Sequence, residues 1–336
     1  MARLFIDGFE SGSLDLWEVV KYGAYSTPLV IDSSKYSGNY ALQIRVNNYD
    51  GYVQKNIAGI STIYFMFRLM AVSGSHNATV FSVLDTGATQ LCLVLNADRT
   101  LTLRRGNFVG TVLATTASIA TADEWIMIEG RLVIDSVAGI AQIKINGVME
   151  IDFAGNTRGG STNNINQVAL GLRYGGAASN SAGLIVDDLV LDDSEWIGDS
   201  RVQALVPVGA GNSTQWTPTA GENWECVDEV PPSNDDQVGT NANDQLDLYS
   251  AGNLVGSVNA VKCVQLQVRC NKEGAPTPQN IKLACKTHGT NYESASLPIP
   301  TISQSKSKIW QNNPNTGANW TVQEVNDLEI GIKSAA

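Results

Sequence analysis

The segment AQIKINGVMEIDF (141–153) shows the pattern that predicts the fold of this chain. Apolar and polar side chains alternate on both sides of Asn146-Gly147, and a period of two places one set of side chains on each face of a β-strand. Asn-Gly supplies the two positive φ angles of a type I′ turn. The segment therefore predicts a tight antiparallel hairpin.

The same alternation recurs along the first two thirds of the chain. The segments are ALQIRVN (41–47), TQLCLVLN (89–96), RTLTLRR (99–105), MIEGRLVID (127–135) and GLIVDDLVLDD (183–193). Helical periodicity is almost absent, and short helical turns are predicted only at 13–17 or 122–125. Many short strands separated by turn signals predict an all-β fold, with a sandwich, a jelly roll and a barrel as the alternatives.

A change of composition predicts two domains. Residues 198–225 are rich in Gly, Pro, Ser, Thr and Asn, which is typical of linkers and loops. A second set of strands follows in 254–270, 280–287 and 327–333, after a long polar loop at 227–245. A length of 336 residues fits two domains of about 150 residues each. We therefore expect domains at 1–197 and 198–336.

Charge and composition exclude several classes of partner. Charged residues make up 16% of the chain and the net charge is −11, without a cluster of Lys and Arg. Nucleic acid and anionic membranes are bound mainly through such clusters, so we expect neither as a partner. The sequence has no run of 18 apolar residues, and its start does not follow the pattern of a signal peptide. We expect synthesis and assembly in the cytoplasm.

The cysteines predict neither a disulfide framework nor a zinc site. The five are Cys92, Cys226, Cys263, Cys270 and Cys285, with no Cys-x-x-Cys pair and only two histidines. We interpret them as small buried hydrophobes, and a bridge from Cys263 or Cys270 to Cys226 or Cys285 remains an alternative. No cofactor is required by any motif.

Three segments of the first domain carry a family resemblance. The opening FIDGFESGSLDLW (5–17), the hairpin that runs from Trp125 to the Asn146-Gly147 turn, and the closing strand LIVDDLVLDD (184–193) resemble the concanavalin A-like or laminin-G-like jelly roll. The resemblance covers 1–197 and implies an N-terminal jelly-roll sandwich. Its motifs specify fold better than function.

The jelly-roll resemblance also implies site residues. In relatives that bind carbohydrate a structural calcium ties the first strand to the last, and Asp7, Glu10 and Asp188 match those positions. The alternative is that these carboxylates cap backbone amides or are solvated. Glucanase relatives place Glu-x-Asp-x-Glu on one strand, a run that this sequence lacks at Asp187 and elsewhere. The sequence therefore predicts that the protein is not an enzyme.

Tyrosines are the candidate carbohydrate-binding residues. Tyr22, Tyr25, Tyr49 and Tyr52 lie close together in the sequence and offer aromatic platforms for a sugar ring at a loop rim. The alternative is that they fill the edge of the sandwich.

The second domain carries a set of recognisable motif residues, which we name the skeleton. They are Gly-Asp-x-Arg-Val at 198–202, Trp216-Thr-Pro, Asn223, Val227-Asp228-Glu229, Asn313-Pro314, Trp320-Thr and Gly331. With these residues the domain resembles a module of structural proteins from tailed bacteriophages and their prophages. The resemblance covers 198–334 and implies a second, smaller β-sandwich. The chain departs from the family at Asp236-Gln237-Val238, where relatives carry Asp-Tyr or Thr-Tyr-Val.

Together these features predict a non-enzymatic structural protein of a tailed-phage virion, either a capsid decoration or a tail or fibre component. The expected partners are other virion proteins, further copies of the chain in a homo-oligomer, and a host-surface polysaccharide contacted through the jelly roll. The expected location is the virion, assembled in the host cytoplasm. The alternatives are a carbohydrate-binding adhesin and a glycoside hydrolase.

Overall fold

The chain forms two compact units in the computed structural model, which describes residues 3–22, 28–46, 50–72, 77–117, 122–173, 182–274 and 278–336. Unit 1 consists of Met1–Glu10 and Trp17–Val202, and unit 2 consists of Ser11–Leu16 and Gln203–Ala336. Within the described residues, no helix is long and apolar enough to cross a membrane.

Unit 1 is built from β-strands, which we number in chain order. They are β1 Arg3–Asp7, β2 Val19–Lys21, β3 Pro28–Ile31, β4 Ala41–Val46, β5 Gly51–Ile60, β6 Thr62–Ala71, β7 Ala78–Asp85, β8 Ala88–Leu95, β9 Leu101–Arg105, β10 Thr111–Thr115, β11 Trp125–Val133, β12 Gly139–Ile145, β13 Val148–Gly155, β14 Ile165–Leu172 and β15 Ala182–Asp192.

These strands form two antiparallel sheets. In the described part of unit 1, sheet A has the order β13-β12-β11-β6-β15-β4-β3, and β1 also pairs with β15. Sheet B has the order β10-β9-β8-β7-β14-β5-β2. The first strand of the unit therefore pairs with its last, and the two sheets form a jelly-roll-like sandwich. The all-β fold class predicted from the sequence is confirmed.

Aromatic rings from both sheets meet in the core of unit 1. Phe65 on β6 stacks on Phe81 on β7, with ring centroids 4.1 Å apart, and Phe67 lies 5.7 Å from Phe81. All three side chains are buried. Because side chains alternate along a strand, Tyr64 and Arg68, which flank Phe65 and Phe67 on β6, point to the outer face of sheet A.

The β12–β13 hairpin has the turn that its sequence predicts. Asn146 and Gly147 have φ angles of 49° and 84°, which are the two positive values that a type I′ turn requires. Ile143 pairs with Ile151 behind the turn, so that the apolar side chains of both strands share one face.

Unit 2 is smaller, and its strands are short. They are β16 Pro207–Thr214, β17 Thr217–Pro218, β18 Val238–Gly239, β19 Leu246–Ala251, β20 Val264–Cys270, β21 Asn280–Thr287, β22 Thr290–Glu293, β23 Leu297–Pro298, β24 Gln304–Trp310 and β25 Glu329–Ala335. In the described residues, sheet C has the order β16-β19-β25-β21-β22, with β23 also paired to β21. The pairs β17-β18 and β20-β24 complete the unit.

Two local predictions are wrong. Residues 13–17 form a bend and a turn, residues 122–123 form a turn before β11 begins at Trp125, and the one α-helix of the described residues, α1, lies at Val322–Asn326. Thr321 and Glu324 form a capping box there, which satisfies two free amides at the helix start. The predicted strand at 254–270 begins only at Val264, and the φ of 75° at Gly256 interrupts an extended chain near the start of the predicted segment.

The cysteines all lie within the described residues and carry free thiols. Cys92, Cys226 and Cys285 are buried, and Cys263 and Cys270 are half-buried. Burial raises the pKa of Cys92 and of Cys285 to about 12. A thiol that stays protonated is a poor nucleophile, so these two side chains serve as packing groups.

Candidate functional site

Four carboxylates lie at the end of sheet A where β1 meets β15. Asp7 ends β1, Glu10 follows it, and Asp187 and Asp188 lie within β15. All four side chains are buried, and Asp188 has a φ of 53° beside a register shift in the β15–β6 pairing. The resulting kink turns two consecutive carboxylates toward the same loops.

Asp187 binds the loop that follows β3. Its Oδ2 accepts hydrogen bonds from the backbone N–H groups of Tyr36 and Ser37, at 2.8 and 3.1 Å. Asp188 accepts a bond from the Ser37 hydroxyl and, at 2.7 Å, from the backbone N–H of Val202. Burial, with the charge of Asp188 as a second cause, raises the pKa of Asp187 to about 7.

Asp7 and Glu10 also bind the protein's own donors. Asp7 accepts hydrogen bonds from the backbone N–H of Phe9 at 2.7 Å and from Trp17 Nε1 at 2.8 Å. Glu10 accepts bonds from the backbone N–H groups of Asn39 and Tyr40. Burial raises the pKa of Glu10, and it raises the pKa of Asp7 to about 6.

The structure brings the three predicted calcium ligands to one end of the sandwich. Glu10 lies close enough to Asp7 and to Asp188 for the like charges to raise pKa values. Their oxygens, however, accept hydrogen bonds from amide, indole and hydroxyl donors, and among the described residues no group of three or more His, Cys, Asp or Glu is placed to hold a metal ion. Calcium binding by Asp7, Glu10 and Asp188 therefore stays a prediction.

The predicted tyrosine platform is only partly described. Tyr25 and Tyr49 lie outside the described residues. Tyr22 follows β2 at the edge of sheet B and is 58% exposed. Tyr52, on the adjacent β5, is half-buried, with the Arg173 guanidinium 5.4 Å from its ring centroid. A sugar would reach Tyr22 more readily than Tyr52.

The outer face of sheet B is occupied by the protein's own loops. The fully buried Gln90 accepts hydrogen bonds from the backbone N–H groups of Gly159 and Gly160 and donates to the carbonyls of Thr162 and Asn164. These bonds satisfy the side-chain amide and fix the loop over the strand.

Arg173 occupies a second part of this face. Its guanidinium donates to Gln54 Oε1 at 2.9 Å and to the carbonyl of Gly87 at 3.2 Å. Gln54 is buried beneath this contact, and Ser82 is also buried. The described part of this face presents packed polar groups rather than an open row of catalytic side chains.

Residues 193–202, which we name the strap, cross the outer face of sheet A. Trp196 packs against Tyr64, and the backbone N–H of Gly198 donates to Glu129 Oε1 at 2.7 Å. Asp199 pairs with the buried Arg68. The strap thus places the Gly-Asp-x-Arg-Val segment within unit 1.

The strap continues to the carboxylate end of the sandwich. Arg201 lies 5.2 Å from the ring of Tyr36, whose other cationic neighbour is Arg68 at 4.2 Å. A Cβ on Gly8 would lie 2.7 Å from Val202, so only glycine allows this close approach. Trp196 was not predicted from the sequence, and Arg201 was named only as part of the Gly-Asp-x-Arg-Val segment, although an aromatic and a cation after an acidic strand offered a weak signal.

In unit 2, the skeleton residues converge on the loops rather than on a cleft. Asp247 is fully buried and accepts hydrogen bonds from Asn223 Nδ2, the Tyr249 hydroxyl and the backbone N–H of Trp216. A Cβ on Gly331 would lie 1.8 Å from the Asp247 carbonyl oxygen. These residues hold the strand ends together.

The remaining skeleton residues act in the same way. Trp216 Nε1 donates to the carbonyl of Gln245 at 2.9 Å, and Trp320 Nε1 donates to the carbonyl of Trp310 at 3.0 Å. The fully buried Asn313 donates to the Thr287 hydroxyl. Both indole rings thus pack in the interior of unit 2, and each indole N–H donates to a backbone carbonyl.

Comparisons with known proteins give only distant similarity. No protein-family model matches the sequence, and no curated protein matches it. A sialidase structure aligns with 57% of this chain and 19% of its own, with a TM-score of 0.44 and 12% identity. An endo-β-1,4-glucuronan lyase from the fungus Trichoderma reesei aligns with 57% of this chain and 96% of its own, with a TM-score of 0.42 and 13% identity.

An alginate lyase of polysaccharide lyase family 7 aligns with 52% of this chain and 85% of its own, with a TM-score of 0.38 and 9% identity. Similarity at this level concerns the β-sandwich fold and carries no argument about what this chain binds or does.

Proposed function

We propose that this chain is a non-enzymatic structural protein of a tailed-phage virion. The observation that carries the proposal is the use of its buried carboxylates. Asp7, Glu10, Asp187 and Asp188 all accept hydrogen bonds from the protein's own donors. A hydrolase needs two carboxyl groups that face each other across a substrate. Here the carboxylates fix loops instead.

The skeleton of unit 2 supports the same role. Trp216, Asn223, Asn313, Trp320 and Gly331, which carry the resemblance to phage structural modules, hold loops to strands. Motif residues that hold loops to strands keep the unit rigid. A rigid body with little charged surface suits a fixed position in a symmetric assembly.

Immunogold labelling tests the proposal. Antibodies against the purified chain are applied to particles isolated from a lysate of the strain or phage that encodes it. We expect gold on the particles, and none on particles from a deletion mutant. Label confined to the soluble fraction would contradict the proposal.

A variant pair sharpens this test. Trp320→Ala removes a buried indole and its hydrogen bond to Trp310, so we expect the variant to be lost from particles. Tyr22→Ala changes an exposed side chain and should be incorporated like the wild type.

A second candidate function is carbohydrate binding by unit 1, which the exposure of Tyr22 favours. A glycan array probed with the full-length chain tests it. Binding that Tyr22→Ala abolishes would support an adhesin role, and binding that this change leaves intact would place the contact elsewhere.

A further inference from the structure

One row of side chains on the outer face of sheet A has the composition of a binding site. Arg131 on β11 pairs with Tyr64 on β6 on one side and with Gln142 on β12 on the other. Gln142 in turn pairs with Asp152 on β13. Directly paired residues on neighbouring strands share a face, so the four side chains form a continuous row.

Arg131 is the unusual member of this row. Its guanidinium lies over the Tyr64 ring, 5.8 Å from the centroid, and its Nε is buried without a hydrogen-bond partner. Among the described residues, no carboxylate forms a salt bridge with it. A buried N–H without an acceptor is costly, and the side chain as a whole is only half-buried, so a ligand oxygen can approach the guanidinium from the outer face of sheet A.

An aromatic wall bounds the row on the strap side. The Trp196 and Tyr64 rings meet edge to face, with centroids 5.7 Å apart and an interplanar angle of 78°. Lys144 Nζ lies 3.6 Å from the Trp196 ring centroid and 3.6 Å from Glu129 Oε2. Lys144 pairs with Glu129, two residues before Arg131 on β11, so it is a second cation on the same face.

The other end of the row offers neutral and acidic hydrogen-bonding groups. Gln142 Nε2 donates to Asp152 Oδ1 at 2.9 Å, and Asp152 is exposed. An amide and a carboxylate on one face recognise hydroxyl groups, and an aromatic edge packs against C–H groups. A planar guanidinium binds a carboxylate through two parallel hydrogen bonds.

We propose that this row, formed by Tyr64, Arg131, Gln142 and Asp152 beside Trp196, binds a sugar unit that bears a carboxylate, within an acidic polysaccharide. The carboxylate binds Arg131, the hydroxyl groups bind Gln142 and Asp152, and the sugar ring packs against the aromatic wall. The site lies on the opposite sheet from Tyr22, and it does not depend on a virion location.

The chemistry favours a saccharide over an acidic peptide because hydroxyl-binding groups lie beside the guanidinium. A flat sheet face buries little of a ligand, so each site binds weakly and repeated copies raise the avidity.

Calorimetric titration of the full-length chain with oligomers of galacturonic acid tests the proposal. The methyl-esterified oligomer keeps the sugar ring and removes the charge, and a sulfated oligosaccharide tests a different anion. We expect the acid to bind at least tenfold more tightly than either the ester or the sulfated ligand. The ester has no charge for Arg131 to bind, and a sulfate group lacks the planar shape of a carboxylate.

Variants locate the site. Arg131→Gln should weaken binding at least tenfold, and Arg131→Lys should retain part of the affinity because it keeps the charge without the planar fork. Arg158→Gln is the matched control, since it removes one positive charge from a loop of unit 1, and it should change affinity less than twofold. Thermal unfolding verifies that each variant folds.

Several results would overturn the proposal. They are no binding of the acid by the wild-type chain, equal binding of acid and ester, equal losses in Arg131→Gln and Arg158→Gln, or binding of acidic peptides in preference to the sugar. None of them bears on immunogold labelling, so failure of this site is distinguishable from failure of the virion role.

Discussion

The two units achieve stability in different ways. Unit 1 buries a large apolar core between two sheets, with Phe65, Phe67 and Phe81 stacked at its centre. Unit 2 has a smaller core, and many of its fixed points are polar, above all the buried Asp247 and the indole N–H groups of Trp216 and Trp320. Both units bury polar groups that hold loops, as Asp187 does in unit 1, but unit 2 has the smaller apolar core to support them.

The two interiors should tolerate different substitutions. An apolar core loses free energy of unfolding with each buried atom that is removed. In a buried polar cluster, removing one hydrogen-bond acceptor leaves several donors without a partner and so costs more than one contact. Substitutions on the outer faces of unit 1 should therefore change its stability little. Replacing a single buried polar residue in unit 2 should lower its stability markedly.

The largest expected effect is in the core of unit 1. Phe65→Ala removes a fully buried ring that stacks on Phe81, and we expect it to lower the free energy of unfolding by about 3–5 kcal/mol. Denaturant unfolding measures the change. Hydrogen exchange by mass spectrometry should assign it to peptides of unit 1. A loss below about 1 kcal/mol would contradict the core described here.

The corresponding test in unit 2 is Asp247→Ala. The change leaves Asn223, Tyr249 and the Trp216 amide without their acceptor, and we expect a loss of about 3 kcal/mol. Asp327→Ala, which removes a carboxylate at the end of α1, is the control and should cost well under 1 kcal/mol. Similar losses for both variants would show that Asp247 is not the centre of unit 2.

The units should respond to pH with opposite signs. Burial holds the pKa of Asp187 at about 7, above the usual 3.8, so folded unit 1 binds this proton at higher pH than the unfolded chain does. We expect its free energy of unfolding to rise by on the order of 2 kcal/mol as the pH falls from about 8 to about 5. Asp187→Asn should flatten this rise.

In unit 2, a hydrogen bond from His288 is the main cause that lowers the pKa of Glu324 from 4.5 to about 2. The stabilising contribution of Glu324 is fully present above pH 4.5 and is lost as the pH falls toward 2. Hydrogen exchange on peptides of each unit separates the two responses. Parallel responses of both units would contradict this contrast.

The smallest expected effect compares one turn in both units. Gly147 and Gly289 have φ angles of 84° and 74°, and no atom lies within 4 Å of a Cβ built on either. Replacement by Ala should therefore cost only the backbone strain, about 1 kcal/mol in each unit. Thermal unfolding measures both variants, and a much larger loss in one of them would reveal a contact that the turn geometry does not include.

Local features were predictable from the sequence because their physical causes are local. Alternation identified most strands of unit 1, and Asn146-Gly147 identified its hairpin turn. The helix α1 was missed because it spans only five residues, too few for a helical period, although Thr321 and Glu324 carry its capping box.

The use of the carboxylates was not predictable, since it depends on distant segments. Asp187 accepts hydrogen bonds from the backbone N–H groups of Tyr36 and Ser37, which lie about 150 positions away in the chain. Alternation likewise places Arg131 on a face of its strand, but it does not reveal that the strap brings Trp196 to the same face.

The most direct test of the central claim, that the buried carboxylates hold the protein's own loops and perform no chemistry, is a turnover assay. The purified chain is incubated with neutral and acidic polysaccharides, and new reducing ends and unsaturated sugars are measured. We expect no product above that of buffer alone. Product that disappears in a folded Asp187→Asn or Asp188→Asn variant would contradict it.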